Sequence, residues 1–312
     1  MTTREVEHEI TVRAAADAVY RLIAEVENWP TLFPPTVHVE HLERGADDER
    51  IRIWATANGR PKTWTSRRTL DDDRLRIGFR QEVSAPPVAA MGGAWLVEPA
   101  GAGECRVRLL HDYRAVDDDP AHLAWIDQAV DRNSRAELAA LKANAELALG
   151  ARESTLSFED SVHVQGSAAD VYDFLNDAGR WSERLPHVAA VTLEEETPGI
   201  QILRMDTKAK DGSTHTTESV RVCSPHRLIV YKQTTLPALM SLHTGAWVLR
   251  EDTPGSTTVT SRHTVVVDEE NITAVLGPTA SVADARRHLR DALGANSRAT
   301  LGHAKAHAEA RR

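Results

Sequence analysis

The sequence predicts an α+β protein of two tandem domains, each a curved antiparallel sheet wrapped around a long C-terminal helix with an interior cavity. The first observation behind this prediction is an internal repeat, because one offset of 152 residues aligns Trp95 with Trp247 and His111 with His263. The second is the order of elements, which is the same in both copies. A repeat of this length indicates two copies of a whole domain, since solenoid repeats run only about 20 to 50 residues.

The repeat places the domains at residues 1–150 and 155–312, with 150–154 as the linker. Near the end of each copy, the Asn-Ser-Arg-Ala that starts at Asn133 recurs at Asn296. The offset has grown to 163 there, so an insertion is expected before the last helix of the second copy.

Each copy begins with a strand that leads into a helix. In the first copy, residues 4–12 have strand character, and residues 15–26 place their apolar side chains on one helical face. The segment 29–35 contains three prolines, which cannot continue a helix, so we expect it to break the helix there.

A meander of antiparallel strands and a terminal helix complete the copy. An apolar stripe over residues 120–149 predicts a helix of roughly 45 Å. The strands are predicted from alternating stretches separated by Gly, Asp and Pro turns, near residues 37–44, 49–57, 61–70, 74–83, 91–98 and 104–116.

Composition limits the cellular locations and the classes of partner that the protein could have. No apolar run approaches the roughly 18 residues of a membrane span, and no leader is visible at Met1, so we expect a soluble cytoplasmic protein. A net charge of −9 argues against nucleic-acid and membrane-surface partners. Cys105 and Cys223 do not align in the repeat and are interpreted as reduced thiols without a shared catalytic role.

Strand alternation places two polar side chains inside the first domain. Trp64, Ser66 and Arg68 share one strand face, and the tryptophan marks that face as the buried one. On the last strand His111 shares a face with Leu109, which is apolar. We therefore expect Arg68 and His111 to point into the cavity, where small apolar molecules commonly bind.

Four segments carry a resemblance to the polyketide aromatase/cyclases of bacterial type II synthases, which resemble the helix-grip fold of the START and Bet v 1 group. The resemblance covers residues 4–149 and, more weakly, 156–309, as in the di-domain members. The segments are Trp29-Pro-Thr-Leu-Phe33, Trp64-Thr-Ser66-Arg-Arg68, Gly93-Ala94-Trp95 and the Asn-Ser-Arg that begins at Asn133.

This resemblance implies an activity and its partners. The family's pocket receives a poly-β-ketone on an acyl carrier protein and promotes aldol closure and dehydration of the first ring, and di-domain members are associated with joining carbons 7 and 12. Other type II synthase subunits are then further partners. No metal or organic cofactor is expected.

The resemblance also assigns catalytic residues. The family's pocket arginine corresponds to Arg68, with Ser66 beside it, and the second copy keeps Ser219 and Arg221 but has Thr217 in place of the tryptophan. An arginine in a water-poor pocket stabilises negative charge that develops on oxygen. His111 and His263 are candidates for the proton transfers of dehydration, because the ordinary pKa of histidine is near neutrality.

To hold the flexible poly-β-ketone substrate in one conformation, the pocket needs side chains that match its shape. The candidate substrate-binding residues are Trp29, Phe33, Trp64, Met91, Trp95 and Asn133 in the first copy and Trp181, His243, Trp247 and Asn296 in the second.

Structural explanations compete with these assignments. Arg68 could be scaffolding paired with a carboxylate, and His111 and His263 satisfied interior histidines. The tryptophans would be core residues in any fold of this type. His303 and His307 have metal-ligand spacing but no evident third ligand, which favours a solvated helix face.

Two rival functions also remain. One is a non-catalytic carrier or chaperone that binds a lipid or polyketide without transforming it. The other is an enzyme whose second copy serves only packing or dimer contacts.

An acidic carrier protein would favour a basic rim, for which the candidates are Arg44, Arg50, Arg52, Arg60 and Lys62. Sequence leaves open the chain length of the substrate, its prior ketoreduction, whether the enzyme closes the ring or only aromatises it, and whether the chain forms a homodimer.

Overall fold

The computed structural model describes residues 3–147, 153–208, 212 and 214–311. It divides into two compact units, Met1–Ala151 and Arg152–Arg312. Most of the predicted linker, residues 150–152 of 150–154, lies outside the described residues, as do the last two residues of the helix predicted to end at 149.

The first domain is a seven-stranded antiparallel sheet with three α-helices. Its strand order is β1-β7-β6-β5-β4-β3-β2. Apart from β1 and β7, strands that are adjacent in the sheet are consecutive in the chain, which confirms the predicted meander. The strands are β1 Arg4–Val12, β2 Thr36–Arg44, β3 Asp48–Ala57, β4 Arg60–Asp71, β5 Arg76–Val83, β6 Val88–Gly101 and β7 Glu104–Ala115. The helices are α1 Ala16–Ala24, α2 Trp29–Leu32 and α3 Pro120–Leu147.

The second domain repeats this arrangement with the order β8-β14-β13-β12-β11-β10-β9. Its strands are β8 Thr155–Val164, β9 Val188–Thr197, β10 Ile200–Lys208, β11 Thr214–Ser224, β12 Leu228–Thr235, β13 Met240–Thr253 and β14 Ser256–Val267. Its helices are α4 Ala168–Asn176, α5 Trp181–Arg184, α6 Ile272–Leu276 and α7 Val282–Glu309. The short helix α6 lies in the insertion that the change of offset predicts.

One local prediction needs correction. The segment after α1 does not simply break the helix, because Trp29–Leu32 forms the short helix α2. Pro30 stands in the first turn of α2, where its missing N–H would have no intrahelical partner in any case. The chain becomes extended only at Phe33.

The long helix of each domain packs at both ends and leaves a gap between them. In α3, Leu138 and Leu141 belong to one buried cluster and Ile126 and Val130 to another. In α7, the corresponding ends are occupied by Leu301 and Ala304 and by Ala285 and Leu289. The middle of each helix therefore faces open space instead of packed side chains.

A glycine lets an aromatic ring of the sheet lie directly over the neighbouring strand. A Cβ atom at Gly93 would overlap the Leu110 carbonyl oxygen and lie 2.8 Å from the Phe79 ring. At Gly245 it would overlap the Tyr231 ring and lie 2.6 Å from the Arg262 carbonyl oxygen. Both positions require the close backbone approach that only glycine permits.

Candidate active site

The first domain encloses a cavity between its sheet and the middle of α3. It has two adjacent chambers that share lining residues, among them Trp29, Trp64, Met91, His111 and Glu137. The arginine chamber, of about 610 Å³, also contains Ser66, Arg68, Phe33 and Trp95. The helix chamber, of about 830 Å³, also contains Lys62, Gln81, Trp125 and Asn133. Every candidate site residue of the first copy thus lines this cavity.

Arg68 is only 2% exposed, and its contacts hold it rigidly in the wall. Its Nη1 donates to Glu49 Oε1 at 2.6 Å and to the Ala24 carbonyl oxygen at 3.2 Å, while its Nη2 donates to the Ile23 carbonyl oxygen at 3.0 Å. The guanidinium also lies 5.0 Å from the centre of the Trp29 ring. Burial lowers the pKa of Arg68 to about 10, so it remains charged at neutral pH.

Glu49 neutralises this cation. It stands directly across from Arg68 on β3, is itself buried, and binds His41 Nε2 at 2.8 Å. The scaffolding pair considered for Arg68 therefore exists. These hydrogen bonds occupy three of the five N–H donors of the guanidinium, which leaves two for a substrate oxygen.

Aromatic side chains form the wall beside the arginine. Phe33 packs edge-on against Trp29, with ring centres 5.4 Å apart, and stacks on Trp95 at 5.8 Å. Trp29 donates its Nε1–H to the Ile23 carbonyl oxygen at 3.1 Å, which fixes the ring against the same C-terminal end of α1 that binds Arg68. On α3, Asn133 donates to the Thr56 carbonyl oxygen at 3.0 Å.

His111 faces the cavity as a neutral imidazole. Burial lowers its pKa to about 4, well below the ordinary value on which the sequence argument relied. Its Nδ1 is buried without a hydrogen-bond partner, and its ring packs edge-on against Phe79 at 5.4 Å. At neutral pH it can accept or donate one hydrogen bond but does not carry a proton to release.

Sequence reasoning missed an acid in this cavity. Glu137 lines both chambers, one helical turn after Asn133, and burial raises its pKa to about 8. At neutral pH this carboxyl group is therefore largely protonated and able to donate a proton. A glutamate within the core-facing stripe of an amphipathic helix was the signal that could have found it.

The second domain encloses a cavity of about 850 Å³ in the corresponding place. The candidate residues Ser219, Arg221, His243, His263, Trp181, Trp247 and Asn296 all line it, together with Thr217. In the part of the chain that the structure describes, Arg221 is the only Asp, Glu, Lys or Arg among its lining residues.

Arg221 is as buried as Arg68 but differently partnered. Its Nη2 donates to the Leu175 carbonyl oxygen at 2.6 Å and its guanidinium lies 5.3 Å from the Trp181 ring centre, matching Ile23 and Trp29 of the first domain. Its cross-strand neighbour on β10 is Gln201, where the first domain has Glu49. Nη1 of Arg221 is buried without a hydrogen-bond partner.

A polar network, absent from the sequence prediction except for its two histidines, lies beside Arg221. His263 Nδ1 is 3.1 Å from the Tyr231 hydroxyl and 2.9 Å from His243 Nε2. His263 Nε2 is 3.1 Å from Ser261 Oγ and 2.7 Å from Ser297 Oγ. Burial lowers the pKa of His243 to about 3 and of His263 to about 4, so the network is neutral at neutral pH.

The candidate basic rim is only partly available. Arg44 and Arg50 form ion pairs with acidic residues of their own domain, which are Glu27, Glu43 and Glu82. Arg52 lies over Trp54, and Lys62 lines the helix chamber, where it donates to the Pro86 carbonyl oxygen. The fifth candidate, Arg60, begins β4.

Among the residues that the structure describes, no three His, Cys, Asp or Glu side chains are grouped as metal ligands would be. No helix in this part of the chain is long and apolar enough to cross a membrane. Cys105 and Cys223 are buried free thiols whose pKa values burial raises.

Comparison with known proteins gives the same result for both domains. Residues 3–146 and 155–309 each match the family described as polyketide cyclase/dehydrase and lipid transport. The chain is 54% identical to the granaticin polyketide synthase bifunctional cyclase/dehydratase of Streptomyces virginiae, over 96% of this chain and 98% of that protein. It is 51% identical to the actinorhodin polyketide synthase bifunctional cyclase/dehydratase of Streptomyces coelicolor, over 96% and 95%.

Two crystal structures resemble the whole chain. The di-domain ARO/CYC BexL from the BE-7585A biosynthetic pathway superposes with a TM-score of 0.88 at 64% identity, covering 99% of this chain and 100% of that one. The di-domain ARO/CYC StfQ from the steffimycin pathway gives 0.87 at 37% identity, covering 98% and 99%.

Proposed function

The chain belongs to the polyketide cyclase/dehydrase and lipid transport family, and we propose that it is a di-domain aromatase/cyclase that closes and dehydrates the first ring of a poly-β-ketone. The single observation that carries the catalytic assignment is a buried arginine in the wall of an aromatic-lined cavity, repeated in both domains. A carrier would need the apolar wall but not the cation.

The proposed closure uses Arg68 as the electrostatic centre. The substrate is a poly-β-ketone on an acyl carrier protein, and the bond formed joins carbons 7 and 12. In an aldol step an enol carbon attacks a ketone, whose oxygen becomes negative as the carbon–carbon bond forms. The free donors of Arg68 stabilise that oxygen, while Trp29, Phe33 and Trp95 hold the chain in one fold.

Dehydration needs a proton for the departing hydroxyl and a base for the adjacent carbon. Glu137, protonated at neutral pH, supplies the proton to the leaving oxygen and becomes a carboxylate. Neutral His111 in the same cavity takes the proton from the adjacent carbon, so that water leaves and the double bond forms. Ser66 orients the oxygen beside Arg68. In the second domain, Ser219, Arg221 and His263 correspond to Ser66, Arg68 and His111, while Thr300 stands in the position of the acid Glu137.

Partners and location follow from the same proposal. The chain acts with other components of a polyketide synthase, and an acyl carrier protein presents the substrate at the face of the first domain where Lys62 lies. The site of action is the cytoplasm, where the synthase components meet. A homodimer is compatible with this arrangement and is not required by it.

The test is reconstitution with a minimal type II polyketide synthase, with and without its ketoreductase. Wild type should divert shunt products to a compound with an aromatic first ring, and Arg68→Ala should reduce this by about 10²- to 10³-fold. Arg67→Ala is the matched control, because Arg67 is adjacent on β4 but exposed and paired with surface acids.

Two outcomes separate the alternatives. If Arg221→Ala also suppresses the product while remaining folded by circular dichroism, both domains share the chemistry. If wild type leaves the product profile unchanged in both systems yet binds the polyketide, the protein is a carrier and the catalytic proposal is wrong.

A further inference from the structure

The two cavities differ in charge as well as in shape. Arg68 faces a carboxylate 2.6 Å away, whereas Arg221 forms no ion pair with any of the residues that the structure describes. The histidines that line the second cavity add no further charge at neutral pH, because burial lowers the pKa of His187, His215, His243 and His263. The second cavity therefore carries one positive charge that the protein leaves without a direct counter-ion.

The nearest carboxylate lies behind an amide. Gln201 Nε2 donates to Glu195 Oε2 at 2.7 Å and to the Asn176 carbonyl oxygen at 3.3 Å, so the amide separates Glu195 from the guanidinium. Within the described residues the guanidinium of Arg221 makes one hydrogen bond and that of Arg68 makes three, and Nη1 of Arg221 is buried and unsatisfied. A buried cation with an unused donor is costly unless a ligand supplies the missing oxygen.

We propose that the second cavity is a binding site for an oxyanion carried on a flat apolar molecule, and that Gln201 in place of a glutamate is what admits the anion. This inference rests on the proposed function only for the identity of the natural ligand, which would be an enolate or carboxylate form of the cyclised polyketide. The anion pairs with the guanidinium of Arg221, which lines the cavity, and the body of the ligand lies against Trp181 and Trp247.

The first cavity, by the same reasoning, binds a fully ionised ligand more weakly, although the donors of Arg68 can still stabilise the charge that develops on the oxygen of a neutral ketone. Glu49 already occupies the corresponding side of Arg68 and would repel a second negative charge. The first cavity then suits neutral ketones and the second an ionised product. Two domains of one fold thus divide ligands by charge.

The experiment is isothermal titration of the whole chain with 2-naphthoate, its neutral analogue 2-naphthamide, and the triketone 2-acetylcyclohexane-1,3-dione, which is an enolate at neutral pH. Wild type should bind 2-naphthoate at one site per chain, about tenfold or more tightly than the amide. Binding of the triketone anion as well would identify an enolate site, and binding of naphthoate alone a carboxylate site.

Reciprocal exchanges at the cross-strand position test the cause. Gln201→Glu combined with Glu195→Gln should lower the affinity for 2-naphthoate to that for 2-naphthamide. Glu195→Gln alone should leave the affinity for 2-naphthoate unchanged. Glu49→Gln should create a second naphthoate site in the same chain. Equal affinity for naphthoate and naphthamide in wild type, or no effect of the Gln201→Glu pair, would overturn the proposal.

These results are independent of turnover. The titrations use no carrier protein or synthase, so anion binding can fail while cyclisation is observed, or succeed in a protein that proves to be a carrier. Intact circular dichroism and retained naphthamide binding exclude unfolding as the reason for lost anion affinity.

Discussion

The two domains share one backbone arrangement but use the wall beside their arginines differently. The first places Glu49 across from Arg68, and the second places Gln201 across from Arg221. Both arginines keep the same carbonyl and tryptophan contacts at equivalent positions. The fold therefore fixes where the guanidinium lies, and a single cross-strand residue decides whether its charge is already neutralised.

A second difference concerns the next three strands of the same sheet, beginning with the cross-strand neighbour of each arginine. The first domain has Phe79, Met91 and Leu109 where the second has Tyr231, His243 and Ser261. The apolar set leaves His111 Nδ1 unpartnered, while the polar set surrounds His263 with hydrogen bonds. The second cavity is thus organised by its polar network, and the first by aromatic packing and one protonated acid.

Removing the counter-ion of Arg68 should have the largest effect on stability. Glu49→Ala leaves a buried charge without its partner, so we expect the free energy of unfolding of the first domain to fall by about 3–5 kcal/mol. The matched change Gln201→Ala removes only an amide and should cost about 1–3 kcal/mol. Urea denaturation followed by tryptophan fluorescence measures both. Equal losses would mean that the two arginines are held in the same way.

The acid of the first cavity should make its stability depend on pH. The pKa of Glu137 rises from 4.5 to about 8 on folding, so the stabilisation is fully present below pH 4.5 and is lost as pH rises through about 8. Glu137→Gln stays neutral, so its free energy of unfolding should rise relative to that of wild type by on the order of 2 kcal/mol between pH 5 and 9. This figure is smaller than the whole pKa shift would give, because contact with the open cavity screens the charge.

The second domain provides the control for this prediction. The helix position equivalent to Glu137 is Thr300, which does not titrate. Thr300→Val should therefore leave the pH dependence of unfolding unchanged. A wild-type curve parallel to that of Glu137→Gln over the whole range would show that Glu137 is not protonated in the folded protein.

Exchanging one hydroxyl between the domains should give the smallest effect, with opposite signs. Phe79→Tyr offers a donor to the unpartnered Nδ1 of His111 and should stabilise the first domain by about 1 kcal/mol. Tyr231→Phe removes the 3.1 Å bond to His263 and should destabilise the second by a similar amount. Thermal unfolding by calorimetry detects both shifts. A loss in both variants would mean that the aromatic rings do not occupy equivalent positions.

Periodicity was enough to predict the fold and the side of the sheet that faces inward. The predicted strands agree with β2 to β7 within a few residues, and the alternation around Trp64 places Ser66 and Arg68 inside. These features depend on local spacing and on the repeat, which a sequence displays directly.

The partners of those residues were not predictable in the same way. Glu49 meets Arg68 only through the β3–β4 register, which is set by the turn at Asn58 and Gly59 and by packing. Glu137 is a polar residue within an apolar stripe, and only the gap between the packed ends of α3 explains it. The roles of the sixteen candidate site residues in catalysis and binding remain predictions.

The two-ended packing of α3 and α7 has an evolutionary consequence. Each helix is anchored by apolar clusters at its two ends, and residues of its middle, such as Asn133 and Glu137 or Asn296 and Thr300, line the cavity and belong to neither cluster. Substitutions there reshape the chamber without loosening the helix. After duplication, the two copies were therefore free to diverge in the ligands they accept while each continued to fold.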